Sequence, residues 1–277
     1  MPLLHAVVLG VLQGLTEFLP VSSSGHLIVV PWLFGWHELD RNPELKQAFD
    51  VALHMGTFAG VIVYFRSDIV AFAAAAWRSL RRRSIEERDE QLAWLLLLSS
   101  MPAAVVGVVL DSVVDDHLAG EWLIGVLLVV FGLVLLWADR LPADRTEGEF
   151  GLRAAVLMGA AQAAALQPGV SRSGATISMG RWLGFDRDSA ARLSFLMSIP
   201  IMAGAGLYEG VKLVRDGGIP TGFGDAFAVG TLASAVTGFL AVWGLLRFVR
   251  SHSFRPFVAY RLLAGAGILL VAASGFR

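Results

Sequence analysis

Two short stretches of this chain carry side chains able to do chemistry. The first, residues 13–26, reads QGLTEFLPVSSSGH. It holds a carboxamide and a carboxylate four positions apart (Gln13, Glu17), a proline, three consecutive hydroxyls (Ser22, Ser23, Ser24), then Gly25 and His26. The second, residues 168–176, reads PGVSRSGAT and offers Ser171, Arg172, Ser173 and Thr176 directly after a Pro-Gly break. Both lie among residues otherwise suited to lipid. A charge at the centre of a membrane helix costs roughly 2.5–3.5 kcal/mol on insertion scales, so ionisable groups at that depth point to function.

The chemistry these residue types permit is phosphoryl transfer at an anion site. Gln13 and Glu17, one helical turn apart, share a face. They present oxygens suited to a hard divalent cation, Mg2+ or Ca2+, and Glu17 equally suits a general base. The plainer alternative has Gln13 bridging two helices and Glu17 paired with Arg172. The three serines fall where a second half-helix begins. One of them is needed as a cap. The free N–H groups of the same terminus attract an anion, and a serine there becomes a nucleophile once a base is in reach. His26 follows Ser23 by three residues and Ser24 by two, which favours Ser23 as its partner. The planar fork of Arg172 suits bidentate phosphate binding. The expected catalytic set is therefore Glu17, Ser23, His26 and Arg172. Gln13 and Glu17 are the expected metal ligands, and Ser22, Ser24, Gly25, Ser171, Ser173 and Thr176 are expected to line the phosphate. Asp50 and His54, at i and i+4, are placed at the cavity mouth or in a structural role. Arg261, near a helix end, is expected to snorkel to the interface.

These groups need a scaffold, and the composition says what kind. Of 277 residues, 56% are hydrophobic and only 16% charged, against about 25% charged in ordinary globular chains. The mean hydropathy is +0.65. An all-α integral membrane protein follows, since a spanning helix needs about 20 apolar residues. The absence of cysteine excludes disulfides and thiolate chemistry. There is no P-loop, Rossmann glycine pattern or paired-histidine zinc motif, and no nucleic-acid partner is expected. The N-terminal segment lacks a basic leader and a small-residue cleavage site, and reads as retained.

Residues 3–19 and 22–36 are each short for a span and are separated by Pro20, as are 152–166 and 171–183 by Pro168. They read as two re-entrant hairpins, which are tolerated at depth only when buried in protein or lining a wet cavity. Full spans are expected at 48–65, 92–110, 122–138, 189–208, 226–246 and 256–273, about six in all. A polar loop is expected at 36–47, a basic run contacting anionic headgroups at 78–88, and an acidic loop at 111–121. The chain is one membrane domain, 1–277, with an internal repeat. A shift of 149 positions lays VSSSGHLI (21–28) on VSRSGATI (170–177), Gly10 on Gly159, Gln13 on Gln162 and Gly35 on Gly184. The copies span about 1–66 and 151–210. Three spans lie between the hairpins, an odd number, so the repeat is inverted and the hairpin tips meet near the midplane. With the 78–88 run inside, sixteen Lys and Arg fall on the inner side and five on the outer. By the positive-inside bias, both termini and the first hairpin then face outward.

The first stretch resembles the (E/Q)xxxE-plus-serine region of the undecaprenyl-diphosphate phosphatases of the bacitracin-resistance type, and PGVSRSGAT resembles their PGxSRSxxT motif. Order, separation and length agree over essentially the whole chain. The resemblance implies an enzyme of the bacterial inner membrane that removes the terminal phosphate of an isoprenoid diphosphate lipid with a divalent cation. Its site would open towards the periplasmic face, and a homodimer is left open. It further implies that Gln13 and Glu17 hold the paired acidic positions, that Ser22 and Ser23 form the catalytic serine region, that His26 is the motif histidine and that Arg172 binds phosphate. Gln13 stands where many members have glutamate, which removes one anionic metal ligand; Ser24 stands where threonine is frequent. Two rivals are weighed. A lipid or anion transporter or flippase shares broken helices and inverted repeats. The other membrane phosphatase pattern, SRxxxxxHxxxD, fails because Ser178 occupies the histidine position.

Overall fold

The computed structural model describes residues 1–36, 38, 43–117, 120–215, 218 and 222–275. Among these the protein is all helical: α1 Leu3–Phe18, α2 Ser23–Phe34, α3 Pro43–Tyr64, α4 Arg66–Arg82, α5 Arg88–His117, α6 Glu121–Asp139, α7 Leu152–Ala164, α8 Arg172–Trp182, α9 Arg187–Arg215, α10 Gly224–Val249 and α11 Arg255–Ala273, with one 3-10 turn at Glu147–Glu149. Helices α5, α6, α9, α10 and α11 are long and apolar enough to cross a membrane, and α3 with α4 makes a sixth candidate, bent by 81°. By contrast α1, α2, α7 and α8 have 16, 12, 13 and 11 residues. At 1.5 Å per residue none exceeds about 24 Å, short of a hydrocarbon core of about 30 Å.

Two boundaries differ from expectation. The acidic segment at 111–121 is not all loop, because the α5 backbone stays helical to His117. Nothing before Gly120 supplies a strong stop, and acidic residues alone do not end a helix. The basic run at 78–88 is also partly helical, with Arg78, Arg81 and Arg82 in the last turns of α4 and Arg83 closing it in a left-handed conformation. Arg82 reaches the Glu90 carboxylate at 2.6 Å, and the N–H groups of Glu86 and Glu87 donate to that same carboxylate.

Glycines set the helix spacing. A Cβ on Gly10 would sit 2.3 Å from the Gly230 oxygen, and one on Gly14 1.9 Å from the Thr237 hydroxyl, so α1 lies directly on α10. Gly159 approaches the Ser99 oxygen in the same manner, which brings α7 onto α5. Such small-residue seams are how helices approach closely in lipid, where no hydrophobic force drives them together. Thus α10 is held between α1 and α3, and α5 touches both α7 and α9. At one end of the bundle Asp139 accepts from Arg187 and from the Phe254 N–H, and the Asp139 carbonyl accepts from Arg181, tying α6, α8, α9 and α11 together.

Candidate active site

The hairpin turns share one backbone solution. Ser22 caps α2 at φ 75°, ψ 95°, and its hydroxyl accepts the Gly25 N–H at 3.4 Å. Ser171 caps α8 at φ 74°, ψ 114°, and accepts the Gly174 N–H at 3.1 Å. A positive φ at a non-glycine residue costs on the order of 1–3 kcal/mol, so surrounding contacts must hold it. Here the turns hold each other. The Gly169 N–H donates to the Ser22 hydroxyl at 3.1 Å, and the Ser173 hydroxyl donates to the Leu19 carbonyl at 3.0 Å.

Arg261 completes this junction. Far from snorkelling, its side chain is fully buried. It donates to Pro20 O (3.2 Å), Gly169 O (3.0 Å), Val170 O (3.1 Å), Leu127 O (3.3 Å) and Leu128 O (3.1 Å). Backbone that leaves the helix at depth exposes carbonyls that lipid cannot satisfy, and a guanidinium brings five N–H donors in one plane. Position near a helix end suggested the interface; the demand of two broken turns draws the side chain inward instead.

Around Glu17 the two hairpins form one cluster. Its Oε1 accepts from Arg172 at 3.0 Å, and its Oε2 accepts from Ser23 Oγ at 2.7 Å and from Gln13 Nε2 at 3.0 Å. His54 Nε2 stands 3.6 Å from Oε2, an ion-pair distance when the ring is protonated. The expected meeting of Glu17 and Arg172 is thus present, 155 positions apart in sequence. Arg172 also donates to the Ser194 carbonyl at 3.5 Å and lies over the Phe18 ring, which leaves further N–H groups of its fork for a ligand. The first turns of α2 and α8 add N–H groups that have no partner within their helices.

Other expected site residues are engaged differently. His26 does not meet Ser23. Its Nδ1 lies 2.6 Å from the Ser22 carbonyl, which only accepts, so that nitrogen carries a proton. Its Nε2 lies 2.6 Å from the Tyr260 hydroxyl, and the two rings stack. Both ring nitrogens are thus engaged, and the pairing inferred from i, i+3 spacing is replaced by one with α11. Ser23, in the first turn of α2, turns instead towards α1. The Ser22 and Ser171 hydroxyls serve as caps. Ser173 binds the opposite turn, and Thr176 binds the Arg172 carbonyl at 2.8 Å and the Ser194 hydroxyl at 2.6 Å. The Gly25 N–H is taken by Ser22. Ser24 is half-buried in the first turn of α2. Arg261 and Tyr260 are the residues that sequence reasoning did not bring to the site. His54, expected at the cavity mouth or in a structural role, stands beside Glu17 and binds the Asp50 carbonyl at 2.8 Å.

No group of three or more His, Asp or Glu able to hold a metal occurs among the described residues. Gln13 Oε1, however, is buried without a partner beside the Glu17 carboxylate. A carboxylate with one amide oxygen suits a cation that takes its remaining ligands from phosphate and water, as Mg2+ does.

Broken helices meeting tip to tip, with a carboxylate, a hydroxyl and a guanidinium in one hydrogen-bonded cluster, define a polytopic membrane protein with a buried, anion-directed site. The family described as bacitracin resistance protein BacA matches residues 6–267, and the chain belongs to that family. It is 47% identical to an undecaprenyl-diphosphatase of Pelobacter propionicus, with 99% of each chain covered. It is 46% identical to the protein of that name in Geobacter sulfurreducens, over 97% of this chain and 98% of the relative. Identity to the Nocardioides undecaprenyl-diphosphatase is 44%, over 98% and 97% respectively.

Proposed function

We propose that this chain is an undecaprenyl-diphosphate phosphatase, which removes the terminal phosphate of the lipid diphosphate and returns the monophosphate carrier to cell-wall synthesis. The observation that carries the reading is the Ser23 hydroxyl donating to Glu17 at 2.7 Å while Arg172 holds the other carboxylate oxygen. A nucleophile, its base and a phosphate-binding cation are in register.

In the proposed reaction the terminal phosphate lies on Arg172 and the first-turn N–H groups of α2 and α8. Ser23 Oγ attacks the terminal phosphorus and passes its proton to Glu17. The anhydride P–O bond breaks, and Glu17 hands the serine proton to the departing lipid monophosphate. Glu17, again a carboxylate, then takes a proton from water, which attacks the phosphoserine; the Ser23 Oγ–P bond breaks, Glu17 returns that proton to Ser23 Oγ and inorganic phosphate leaves. Preorganised donors aimed at the equatorial oxygens supply most of the stabilisation in such transfers. A divalent cation held by Gln13 and Glu17 would neutralise developing phosphate charge. His26 is assigned to positioning, since both its nitrogens are engaged.

The protein is placed in the bacterial inner membrane with its site and both termini outward. Arginine placement supports this: with Arg261 removed from the inner set, fifteen basic residues remain there against five outside. An inverted repeat is supported by the matched serine caps and by the glycine seams of α1 on α10 and α7 on α5. Purified protein in detergent, given undecaprenyl diphosphate with and without chelator, should release phosphate and form a trappable phosphoserine at Ser23. Phosphate release with no labelled serine under burst conditions would replace serine attack by direct attack of water. Movement of the lipid across vesicles without hydrolysis would replace the phosphatase by a transporter.

A further inference from the structure

Beside the hairpin tips lies a groove that the phosphate chemistry does not use. It has a volume of about 300 Å³ and runs between α2, α6 and α11, walled by His26, Val29, Trp32, Leu128, Tyr260 and Ile268. Its headward end is the first turn of α2, where Gly25 and His26 line the groove and Ser23 faces Glu17. Two polar side chains in its wall, His26 and Tyr260, satisfy each other at 2.6 Å, and the second ring nitrogen is tied to the Ser22 carbonyl. Apart from that closed pair and the Trp32 indole N–H, the wall is apolar. Its floor on α11 is built from Ala264 and Gly267, and a Cβ on Gly267 would meet nothing within 4 Å. This leaves room for a branched chain between aromatic walls.

We infer that this groove seats the first isoprene units of the lipid substrate, with the His26–Tyr260 pair marking the point where headgroup gives way to tail. The inference rests on the phosphatase reading for the identity of the headgroup. The occupant follows from continuity along α2: Ser23, which faces Glu17, lies two residues before Gly25, where the groove begins, so a chain joined to a phosphate held at the start of α2 meets this apolar wall next. From Gly25 to Leu33 the groove follows nine residues of α2, a rise of about 12 Å. It therefore contacts only the beginning of a long polyprenyl chain, and the rest emerges towards lipid. Recognition then depends on the branched, unsaturated units nearest the phosphate and hardly on total length.

The test uses the full-length protein in detergent and a farnesyl methylenediphosphonate carrying a diazirine on its first isoprene units, which labels its site whether or not hydrolysis occurs. Labelling is expected on α2, α6 and α11 peptides that contain Val29, Leu128 and Ile268. Gly267→Trp, which fills the floor, should cut labelling at least tenfold and raise the KM for undecaprenyl diphosphate by a similar factor. Leu270→Trp, on the outward face of the same helix, should change neither. Competition by undecaprenyl diphosphate, but not by an ordinary diacyl phospholipid, separates the substrate tail from a bulk lipid occupant. Labelling elsewhere, labelling unchanged by Gly267→Trp, or displacement by phospholipid would overturn the inference. Labelling in the groove without phosphate release from the natural lipid would leave the groove standing and remove the phosphatase.

Discussion

Replacing Arg261 by lysine separates a clasp from an interfacial anchor. A snorkelling arginine tolerates lysine, since both reach the headgroups on a long stem. The buried side chain here donates to five carbonyls, three of them on the two hairpin turns. An ammonium has three donors, so at least two carbonyls lose their partner. Each buried acceptor left unsatisfied costs about 1–3 kcal/mol, which gives roughly 2–6 kcal/mol for Arg261→Lys. Loss on that scale should lower the thermal midpoint in detergent by several degrees. It should also cut phosphate release sharply, because the turns that aim Ser23 and Arg172 loosen together. The assay is thermal unfolding of purified protein, followed by intrinsic tryptophan fluorescence, alongside phosphate release from the lipid diphosphate. A lysine variant with unchanged midpoint and turnover would refute the clasp.

Arg172→Ala should lower kcat/KM by at least 10²–10³-fold, the usual loss for one preorganised donor at a developing oxyanion, and should also lower the thermal midpoint, because the buried Glu17 carboxylate loses its cation; near-normal turnover would remove Arg172 from the phosphate site. Ser22→Ala and Ser23→Ala should part company. The former strips a cap and the latch to Gly169, losing about 1–2 kcal/mol of stability, whereas the latter keeps stability and abolishes turnover, as midpoint and phosphate release will distinguish. Outside the membrane, burial raises the Glu147 carboxyl above its ordinary value of 4.5, with Arg192 opposing the shift. The folded state then binds this proton more tightly than the unfolded chain, so this contribution is present below pH 4.5 and is lost as pH rises through the raised value. Glu147→Gln should flatten that part of the stability–pH curve, read as the difference between the two proteins.

The sequence made the site legible because polar groups at depth are costly and stand out. Glu17, Ser23 and Arg172 were found that way, and repeat register predicted that their hairpins meet. Short segments flanking Pro20 and Pro168 were enough to forecast broken helices. What escaped were partners chosen by tertiary need. Tyr260 is 234 positions from His26, and nothing in its helical neighbourhood announces that its hydroxyl closes the histidine ring. Arg261 looked like any arginine near a helix end, because the carbonyls it serves belong to other helices and to turns. The extent of α5 was missed for a local reason: charge was read as a loop signal, yet the backbone stays helical through Asp111, Asp115 and Asp116 to His117.

The matched turns have a consequence for direction. At the shift of 149, Ser23 corresponds to Arg172 and Glu17 to Leu166. On the proposed reading, one repeat position carries the nucleophile in one half and the phosphate-binding cation in the other, and only one half has an acid at the matching place. A two-fold frame by itself has no preferred side. On that same reading the lone carboxylate breaks the equivalence, so the asymmetry of the reaction resides in a side chain and not in the frame.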